Sequence, residues 1–192
     1  SSSIILATGG LSYPKTGTTG DGYKWAKKLG HTITPLTPAL APMKIEPKPP
    51  TNWSGVAFRD CILSCFAGGK KKGEWRGDLL FTHEGISGPT VLELSRDVTE
   101  FFPSNEVTLV LDVLPDQNME QLGEVVRQMV LSNPNREIKT ILKIFLPNRI
   151  IDFLLEQNDI VPESRCSSLD RINRTKLVKI LKEWKLGKVT EV

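Results

Sequence analysis

The chain has 192 residues, of which 39% are hydrophobic and 24% charged, with a formal net charge of +3. These ordinary globular values exclude a disordered tail, a collagen-like repeat and a simple coiled coil, and the length suits one domain or two small ones. Residues 1–134 hold 13 basic and 14 acidic residues, a net of −1, and residues 135–192 hold 12 and 8, a net of +4. This charge is too sparse for a dedicated nucleic-acid binder, and the apolar runs are too short for a membrane span. We therefore expect neither nucleic acid nor a membrane as a partner.

The chain opens with the pattern of a buried strand. Residues 3–10 are an apolar run that ends in two glycines, as a parallel strand of an α/β sheet does. Such a strand needs neighbours for its backbone groups, and the next 30 residues offer little that could supply them. Either the segment pairs in an unusual way or its neighbours lie outside this chain. We favour the second interpretation, in which the chain is a piece of a longer protein.

A polar loop and a short helix follow. Residues 11–22 are rich in glycine, threonine and serine, and residues 23–29 form a helix with Asp21 as N-cap and Gly30 as C-terminal cap. The stretch 32–50 carries six prolines, which predicts a linker with short extended pieces.

The middle of the chain has the pattern of strands. Residues 56–67 and 75–83 are predicted as two strands joined by a turn over 68–73. A short helix is expected to begin at residues 87–89, and residues 106–113 are predicted as a further strand.

The periodicity then becomes helical. Helices are predicted over residues 119–131, 138–145, 148–156 and 174–184, and residues 188–192 have the pattern of a returning strand. Strands grouped before helices favour an α+β fold over an alternating βαβ array.

The glycine-rich loop is the first candidate site. Glycines let a ligand approach the backbone, whose free amides can donate hydrogen bonds, and the threonine hydroxyls add further donors. A bound nucleotide would suit this arrangement, with Asp21 accepting from a hydroxyl or an amide. A plain surface loop with a helix cap explains the same residues, because neither GxGxxG nor GxxxxGK[ST] is present.

The second candidate site is the turn at residues 82–88. A strand delivers His83 to a turn that precedes a helix, where the imidazole could act in proton transfer. The alternative is structural: Thr82 and His83 would stabilise the turn, and Ser87 would cap the helix. The lysines at 70–72 are interpreted as a solvated hairpin tip.

The cysteines indicate neither disulfides nor a metal site. The chain has three cysteines, an odd number that does not suit a disulfide framework. Cys61 and Cys65 lie too far apart along one predicted strand to form a disulfide, and no CxxC pair is present to bind a metal. With two histidines in the chain, we expect no metal, free buried thiols and a cytoplasmic location.

Three motifs together resemble one family. They are ATGGLSYP at 7–14, TGTTGDG at 16–22 and LFTHEGISGP at 80–89, supported by LPNR at 146–149 and LKEW at 181–184. In this order they are similar to the aminoacetone oxidase/BaiN-type FAD-dependent flavoproteins, often labelled NAD(FAD)-utilizing dehydrogenases, and the resemblance covers essentially the whole chain.

The resemblance implies a fold and a division of the chain. Residues 1–36 would be a strand–loop–helix remnant of an FAD-binding α/β domain. An insert domain would follow, with a small β-barrel-like unit over 37–116 and a helical bundle over 117–186, and residues 187–192 would start the return to the FAD-binding domain. The GxGxxG segment of the family is absent here, so we expect this chain alone not to hold FAD tightly.

The resemblance also implies site residues. The cofactor-binding residues would be Thr8, Gly9, Gly10, Thr19, Gly20, Asp21 and Gly22. His83 and Ser87 would face the cleft as candidate catalytic residues.

The expected function is that of a flavin-dependent oxidoreductase. The complete protein would transfer a hydride between FAD and a small organic substrate, as an amine oxidase or as an NAD(P)H-dependent enone reductase, and this chain alone would be inactive. Its partner would be the remainder of its own FAD-binding domain. The alternative is a non-enzymatic module, a small barrel with basic helices that binds nucleic acid or a protein. The sequence leaves the substrate, the electron donor or acceptor, the catalytic base and the oligomeric state open.

Overall fold

The computed structural model describes residues 3–102 and 104–192. The chain divides into two compact units, Ser1–Thr37 and Pro38–Val192. The sequence-based division, with its first boundary between residues 36 and 37, stays a prediction.

The first unit contains a single α-helix among its described residues. Helix α1 spans Asp21–Lys28, after a 3-10 turn at Pro14–Thr16. Gly30 follows α1 with φ of 89°, its amide bonds the Lys27 carbonyl at 3.1 Å, and the amide of the next residue bonds the Ala26 carbonyl at 3.1 Å. This glycine-dependent helix end is a Schellman motif and confirms the predicted cap.

Two predictions for the first unit are wrong. Residues 3–10 form no strand, because no strand of the described chain lies alongside to bond their backbone groups. The N-cap of α1 is Gly20, with φ of 74°, and Asp21 is the first helical residue, so it does not cap the helix.

The second unit is built around a closed barrel of six strands. The strands are β1 (Met43–Glu46), β2 (Ala57–Ala67), β3 (Lys70–Phe81), β4 (Gly85–Ser87), β5 (Val107–Asp112) and β6 (Trp184–Glu191). Their order around the barrel is β1-β4-β3-β2-β5-β6, every pair is antiparallel, and β6 returns to β1. Each of these strands therefore has a neighbouring strand on both sides, although β3 pairs with the short β4 only at Leu80 and Phe81.

The hairpin between β2 and β3 has a tighter turn than predicted. Ala67 pairs with Lys70, which leaves only Gly68 and Gly69 in the loop, with φ of 57° and 73°. Both values favour glycine and match the twist of the flanking strands. Residues 70–72 therefore belong to β3 and do not form the hairpin tip.

Five helices accompany the barrel in the described part of the second unit. They are α2 (Pro89–Phe101), α3 (Met119–Ser132), α4 (Ile138–Leu142), α5 (Asn148–Glu156) and α6 (Arg171–Lys182). Helix α2 packs on β3 and β2, and α3 packs on α6. The Asn118 side chain caps α3 in a reciprocal pair with Gln121, and Asp170 caps α6 by accepting from the Asn173 amide. The α+β class and the barrel with helices are as predicted.

The end of the last helix differs from the prediction. Trp184 was predicted as the final residue of a helix, but it begins β6, pairs with Leu111 and buries its indole. The barrel therefore uses two separate stretches of chain, 43–112 and 184–191. Residues 187–191, interpreted from the sequence as the return to another domain, lie in the strand that completes it.

Aromatic rings fill one region of the barrel interior. Trp53 meets Phe81 and Trp184 edge to face, with ring centroids 5.2 Å and 5.8 Å apart. Phe153 of α5 meets Trp53 at 4.8 Å, so the cluster also joins the barrel to the helices. Such edge-to-face pairs stabilise the fold beyond the contribution of the apolar area that the rings bury.

An ion pair links α6 to β5. Lys182 Nζ lies 2.6 Å from Asp112 Oδ2, with 9% and 22% of the two side chains exposed. The ammonium also donates to the Leu114 carbonyl at 2.8 Å, and the second Asp112 oxygen accepts from the Leu114 amide at 3.0 Å. Each charge therefore has further polar partners in a partly desolvated position.

All three cysteines are free and buried, as predicted. Burial raises the pKa of the Cys61 and Cys65 thiols to about 11 and also raises that of Cys166. Within the described residues, no helix is long and apolar enough to cross a membrane. Nor do those residues bring three or more histidine, cysteine or carboxylate side chains together in a metal-binding group.

Candidate functional site

The structure brings the predicted cofactor-binding residues together within the first unit. A Cβ atom on Gly22 would overlap the Thr8 hydroxyl, and one on Gly9 would lie 2.9 Å from a Thr18 methyl group. The segment 8–10 therefore lies directly against the loop that leads into α1. A side chain at either position would force the neighbouring threonine side chain to move, so glycine gives these two threonines room.

Free backbone donors line this contact. The amides of Gly9, Gly10, Asp21 and Gly22 donate to no protein atom among the described residues. Those of Asp21 and Gly22 belong to the first turn of α1, where the helix dipole favours an anion. The arrangement can bind a phosphate or another polar oxygen of a ligand.

The Asp21 carboxylate is held within the loop. It accepts from the Lys24 ammonium at 2.9 Å and from the Thr19 hydroxyl at 2.7 Å. The hydrogen bond from Lys24, followed by that from Thr19, lowers the pKa of Asp21. The carboxylate is thus ionised at neutral pH, and it orders the residues that flank the free amides.

The turn at 82–88 is stabilised by Thr82. The Thr82 amide donates to the Gly85 carbonyl at 2.9 Å, and the Gly85 amide donates back to Thr82 Oγ1 at 3.1 Å. His83 lies exposed in this turn, and its imidazole makes no hydrogen bond within the described part of the chain. The imidazole therefore contributes no hydrogen bond to the turn, and the ring is available to a ligand.

Charged residues flank this turn. The Lys44 ammonium lies 2.8 Å from a Glu191 oxygen and 3.4 Å from a Glu84 oxygen. The hydrogen bond that Lys44 donates to the Glu191 carboxylate is the main cause that raises the pKa of Lys44. The ammonium of Lys44 thereby partly compensates the negative charge of Glu84, the residue next to His83.

Ser87 does not cap a helix. It is the last residue of β4, half-buried, and the N-cap of α2 is Gly88, with φ of 101°. The expectation that Ser87 caps the helix is wrong, because the chain makes one more turn at position 88 before α2 begins. That turn needs glycine, since a Cβ atom at position 88 would lie 2.6 Å from the Asp78 carbonyl oxygen. His83 precedes β4 and Ser87 ends it, and neither side chain has a hydrogen-bond partner among the described residues.

Sequence reasoning missed a cavity in the second unit. It has a volume of about 590 Å³ and is lined in part by the rings of Trp53, Phe81, Phe153 and Trp184. These four residues are far apart in the sequence, and no spacing rule connects them. They meet only in the folded chain, where the segment with Trp53 and the helix α5 pack against Phe81 of β3 and Trp184 of β6.

The fold and the loop define a class of protein domain: a closed antiparallel barrel with a helical part, preceded in the chain by a glycine-rich segment with free backbone donors. The family described as "HI0933-like protein barrel and H2TH domain" matches residues 37–190, and the chain belongs to this family. This is the insert domain of the BaiN/HI0933 flavoproteins, a family of flavin-associated oxidoreductases. The narrower aminoacetone oxidase/BaiN assignment stays a prediction.

Three relatives are similar to nearly the whole chain. Ribosomal RNA dihydrouridine synthase of Haemophilus influenzae is 33% identical over 183 residues, covering 94% of this chain and 42% of the relative. The protein of the same description from Escherichia coli is 30% identical, covering 95% and 43%. A 3-dehydro-bile acid delta(4,6)-reductase of Clostridium scindens is 28% identical, covering 94% and 44%. The chain thus spans less than half the length of the curated relatives it matches.

Proposed function

We propose that this chain is the barrel-and-helix insert, with the loop before it, of a longer FAD-dependent reductase that saturates a carbon–carbon double bond conjugated to a carbonyl group. When bound, FAD supplies the hydride, and NAD(P)H is the proposed source of its electrons. The non-enzymatic binding module is not favoured by the family assignment.

One observation carries the cofactor part of this proposal. The amides of Gly9, Gly10, Asp21 and Gly22 make no hydrogen bond within the described residues, and they belong to two segments that meet where a Cβ atom at position 22 would overlap the Thr8 hydroxyl. This cradle fits a polar, anionic part of a dinucleotide, because the Asp21 charge is already balanced by Lys24. It accounts for one part of such a cofactor, so the rest would be held by other segments of the longer protein.

The exposure of the first unit supports a longer protein. Gly20 is the only buried residue among described residues 3–37, whereas Ile4 and Ile5 are 84% and 90% exposed. Apolar side chains left in water are unfavourable. We propose that the remainder of the FAD-binding domain covers them.

The substrate chemistry rests on the names of the relatives. Dihydrouridine is uridine whose ring double bond is reduced, and a 3-dehydro-bile acid with double bonds at positions 4 and 6 is a conjugated ketone. In both compounds the double bond is conjugated to a carbonyl group, which makes one carbon a hydride acceptor. A reductase fits these names better than an amine oxidase does. The small-molecule substrate expected from the sequence stays the proposal, and uridine in ribosomal RNA is the second candidate because two relatives carry that name.

The second unit offers side chains for the remaining steps. After the hydride reaches one carbon, the neighbouring carbon takes a proton, and the exposed His83 imidazole can donate it. The Ser87 hydroxyl has no partner among the described residues and could donate a hydrogen bond to the substrate carbonyl. Both assignments are proposals for the longer protein.

The test uses the protein expressed from its complete coding sequence. It should purify yellow, be bleached anaerobically by NADPH or NADH, and be reoxidised by a conjugated ketone or by a uridine-containing ribosomal RNA fragment. Gly22→Ala should lose flavin because the added methyl group overlaps Thr8, whereas Gly123→Ala, at a position with open space, should retain it. A colourless protein that ignores added FAD would refute the proposal, and reoxidation by an amine product alone would refute the reductase assignment.

A further inference from the structure

The cavity in the second unit is a candidate site in its own right. It lies between the start of β6, the proline-rich segment 47–53 and helices α5 and α6, and neither His83 nor Ser87 lines it. Its volume of about 590 Å³ falls within the range of about 300–1,000 Å³ that is typical of small-molecule sites.

Aromatic rings form one side of the cavity. Phe153 is half-buried and stands edge to face with the buried Trp53, at 4.8 Å between ring centroids and 89° between planes. Trp184 and Phe81 complete this side. The rings hold one another in place, and a planar ring of a ligand can pack against the accessible part of Phe153 at little entropic cost.

Uncompensated positive charge lies around the opening. Lys48, Lys179 and Lys185 line the cavity and are exposed, and they form no ion pair within the described residues. Other lysines of the unit, such as Lys139 and Lys188, are paired with carboxylates. Glu183 is the one carboxylate among the described lining residues, so the lining keeps a net positive charge. A concave site of this sign attracts an anion.

Neutral polar groups complete the lining. The side-chain amide group of Gln157 has no hydrogen-bond partner among the described residues. The Asn158 amide group donates to the Leu154 carbonyl at 2.8 Å, which leaves its side-chain oxygen available. Amides offer both donors and acceptors, as the edge of a heteroaromatic ring does.

We propose that this cavity is a nucleotide-binding site, with the base against Phe153, its edge on Gln157 and Asn158, and the phosphate between Lys179 and Lys185. The proposal goes beyond the flavin chemistry and does not depend on it, because every residue it uses lies in the second unit. The same chemistry is presented by a free mononucleotide and by one nucleotide of an RNA strand.

Isothermal titration calorimetry on the 192-residue chain tests this site. The ligands are uridine and adenosine 5′-monophosphate, uridine without phosphate, glycerol phosphate without a ring, and a short oligouridylate. At least one mononucleotide should bind at one site per chain, about tenfold or more tighter than uridine or glycerol phosphate. The double variant Lys179→Glu/Lys185→Glu should weaken that binding by about tenfold to a hundredfold.

The control is Lys70→Glu, which makes the same charge change at an exposed lysine of β3 outside the cavity. It should leave the affinity within about twofold. If the oligouridylate binds more tightly than the mononucleotides with the same lysine dependence, the nucleotide comes from RNA, and equal affinities indicate a free nucleotide. Absence of mononucleotide binding, equal binding of glycerol phosphate, or binding unchanged in the double variant would overturn the proposal. Since the substituted lysines are exposed, an unchanged urea midpoint will show that each variant is folded.

Discussion

At the scale of single residues, the pair between Asp112 and Lys182 stands apart from the other ion pairs of the chain. Most of these join exposed side chains, where water and salt weaken the attraction. Lys182 is largely shielded from solvent, and its ammonium also satisfies the Leu114 carbonyl at the end of β5. Removal of one partner leaves the other charge without compensation in a position where water reaches it poorly.

We therefore predict that Lys182→Ala lowers the free energy of unfolding by about 2–4 kcal/mol. The matched control is Lys188→Ala, which breaks the exposed pair with Glu106 and should produce no measurable change. Urea unfolding followed by circular dichroism measures both variants. Equal losses for the two would show that the link between α6 and β5 contributes nothing beyond an ordinary surface pair.

Some residue-level features follow from sequence and others do not. The buried free state of Cys61 and Cys65 was predictable, because strand geometry forbids a bridge between them. The burial of Trp184 in an aromatic cluster was not, because its neighbours in the fold, Trp53 and Phe81, are remote in the chain. Periodicity alone extended the helix over Trp184, while pairing with β5 ends the helix before it.

At the scale of elements, the connection from β4 to α2 shows how backbone geometry selects a residue. Gly88 adopts φ of 101° and passes so near β3 that a Cβ atom would lie 2.6 Å from the Asp78 carbonyl oxygen. Pro89 then occupies the first helical turn, where its missing amide is harmless. The loop between His83 and the helix depends on this glycine for its direction.

Gly88→Ala should lower the free energy of unfolding by about 1–3 kcal/mol, because the new side chain meets a strained φ as well as a close carbonyl. Gly123→Ala is the same change in the interior of α3, where the added methyl group meets open space. It should raise the free energy of unfolding by about 0.5–1 kcal/mol. Two changes of the same sign in thermal or urea unfolding would contradict this interpretation.

Elements with strong local signals were predictable. The helix at Asn148–Glu156 has the predicted bounds, and α3 differs by one residue at its end, because amphipathic spacing defines both and a side-chain cap also fixes the start of α3. β4 has only three residues, too few for any periodic pattern to show. The strand predicted over residues 3–10 has a clear apolar pattern, but it does not form. A strand needs a neighbouring strand to bond its backbone groups, and the described chain supplies none there.

At the scale of the molecule, the two units differ in how they are stabilised. The second unit contains the hydrophobic core, which runs through the barrel and the helices. The first has no buried apolar side chain among described residues 3–37. Its local contacts are turns, a helix cap and the Asp21–Lys24 pair, which are individually weak.

We expect residues 38–192 to fold without the first unit. A protein with those residues alone should unfold cooperatively in urea with a midpoint equal to that of the full chain, since the same core is buried. A synthetic peptide of residues 3–37 should give the circular dichroism spectrum of a mostly unfolded chain. A shorter protein that aggregates or loses its cooperative transition would show that the first unit is needed for the core.

Of the candidate site, the glycine-rich loop was predictable because its residues are close in sequence. The sequence did not indicate that Thr8 lies against Gly22, or that the Asp21 carboxylate accepts hydrogen bonds from Thr19 and Lys24. The cavity could not be predicted, because its lining comes from the proline-rich segment, α5, α6 and β6, which are remote in the sequence and meet only in the folded chain.

The closure of the barrel between β6 and β1 has a topological consequence. Lys44 of the first strand stands opposite Glu191 of the last, and their side chains touch. The first and last strands of the barrel therefore lie side by side. A domain inserted into a surface loop of another protein needs this arrangement, because its two connections must reach neighbouring points of that protein. A domain with adjacent ends can be exchanged or deleted as a whole in evolution, and it can be inserted into another protein through two short linkers.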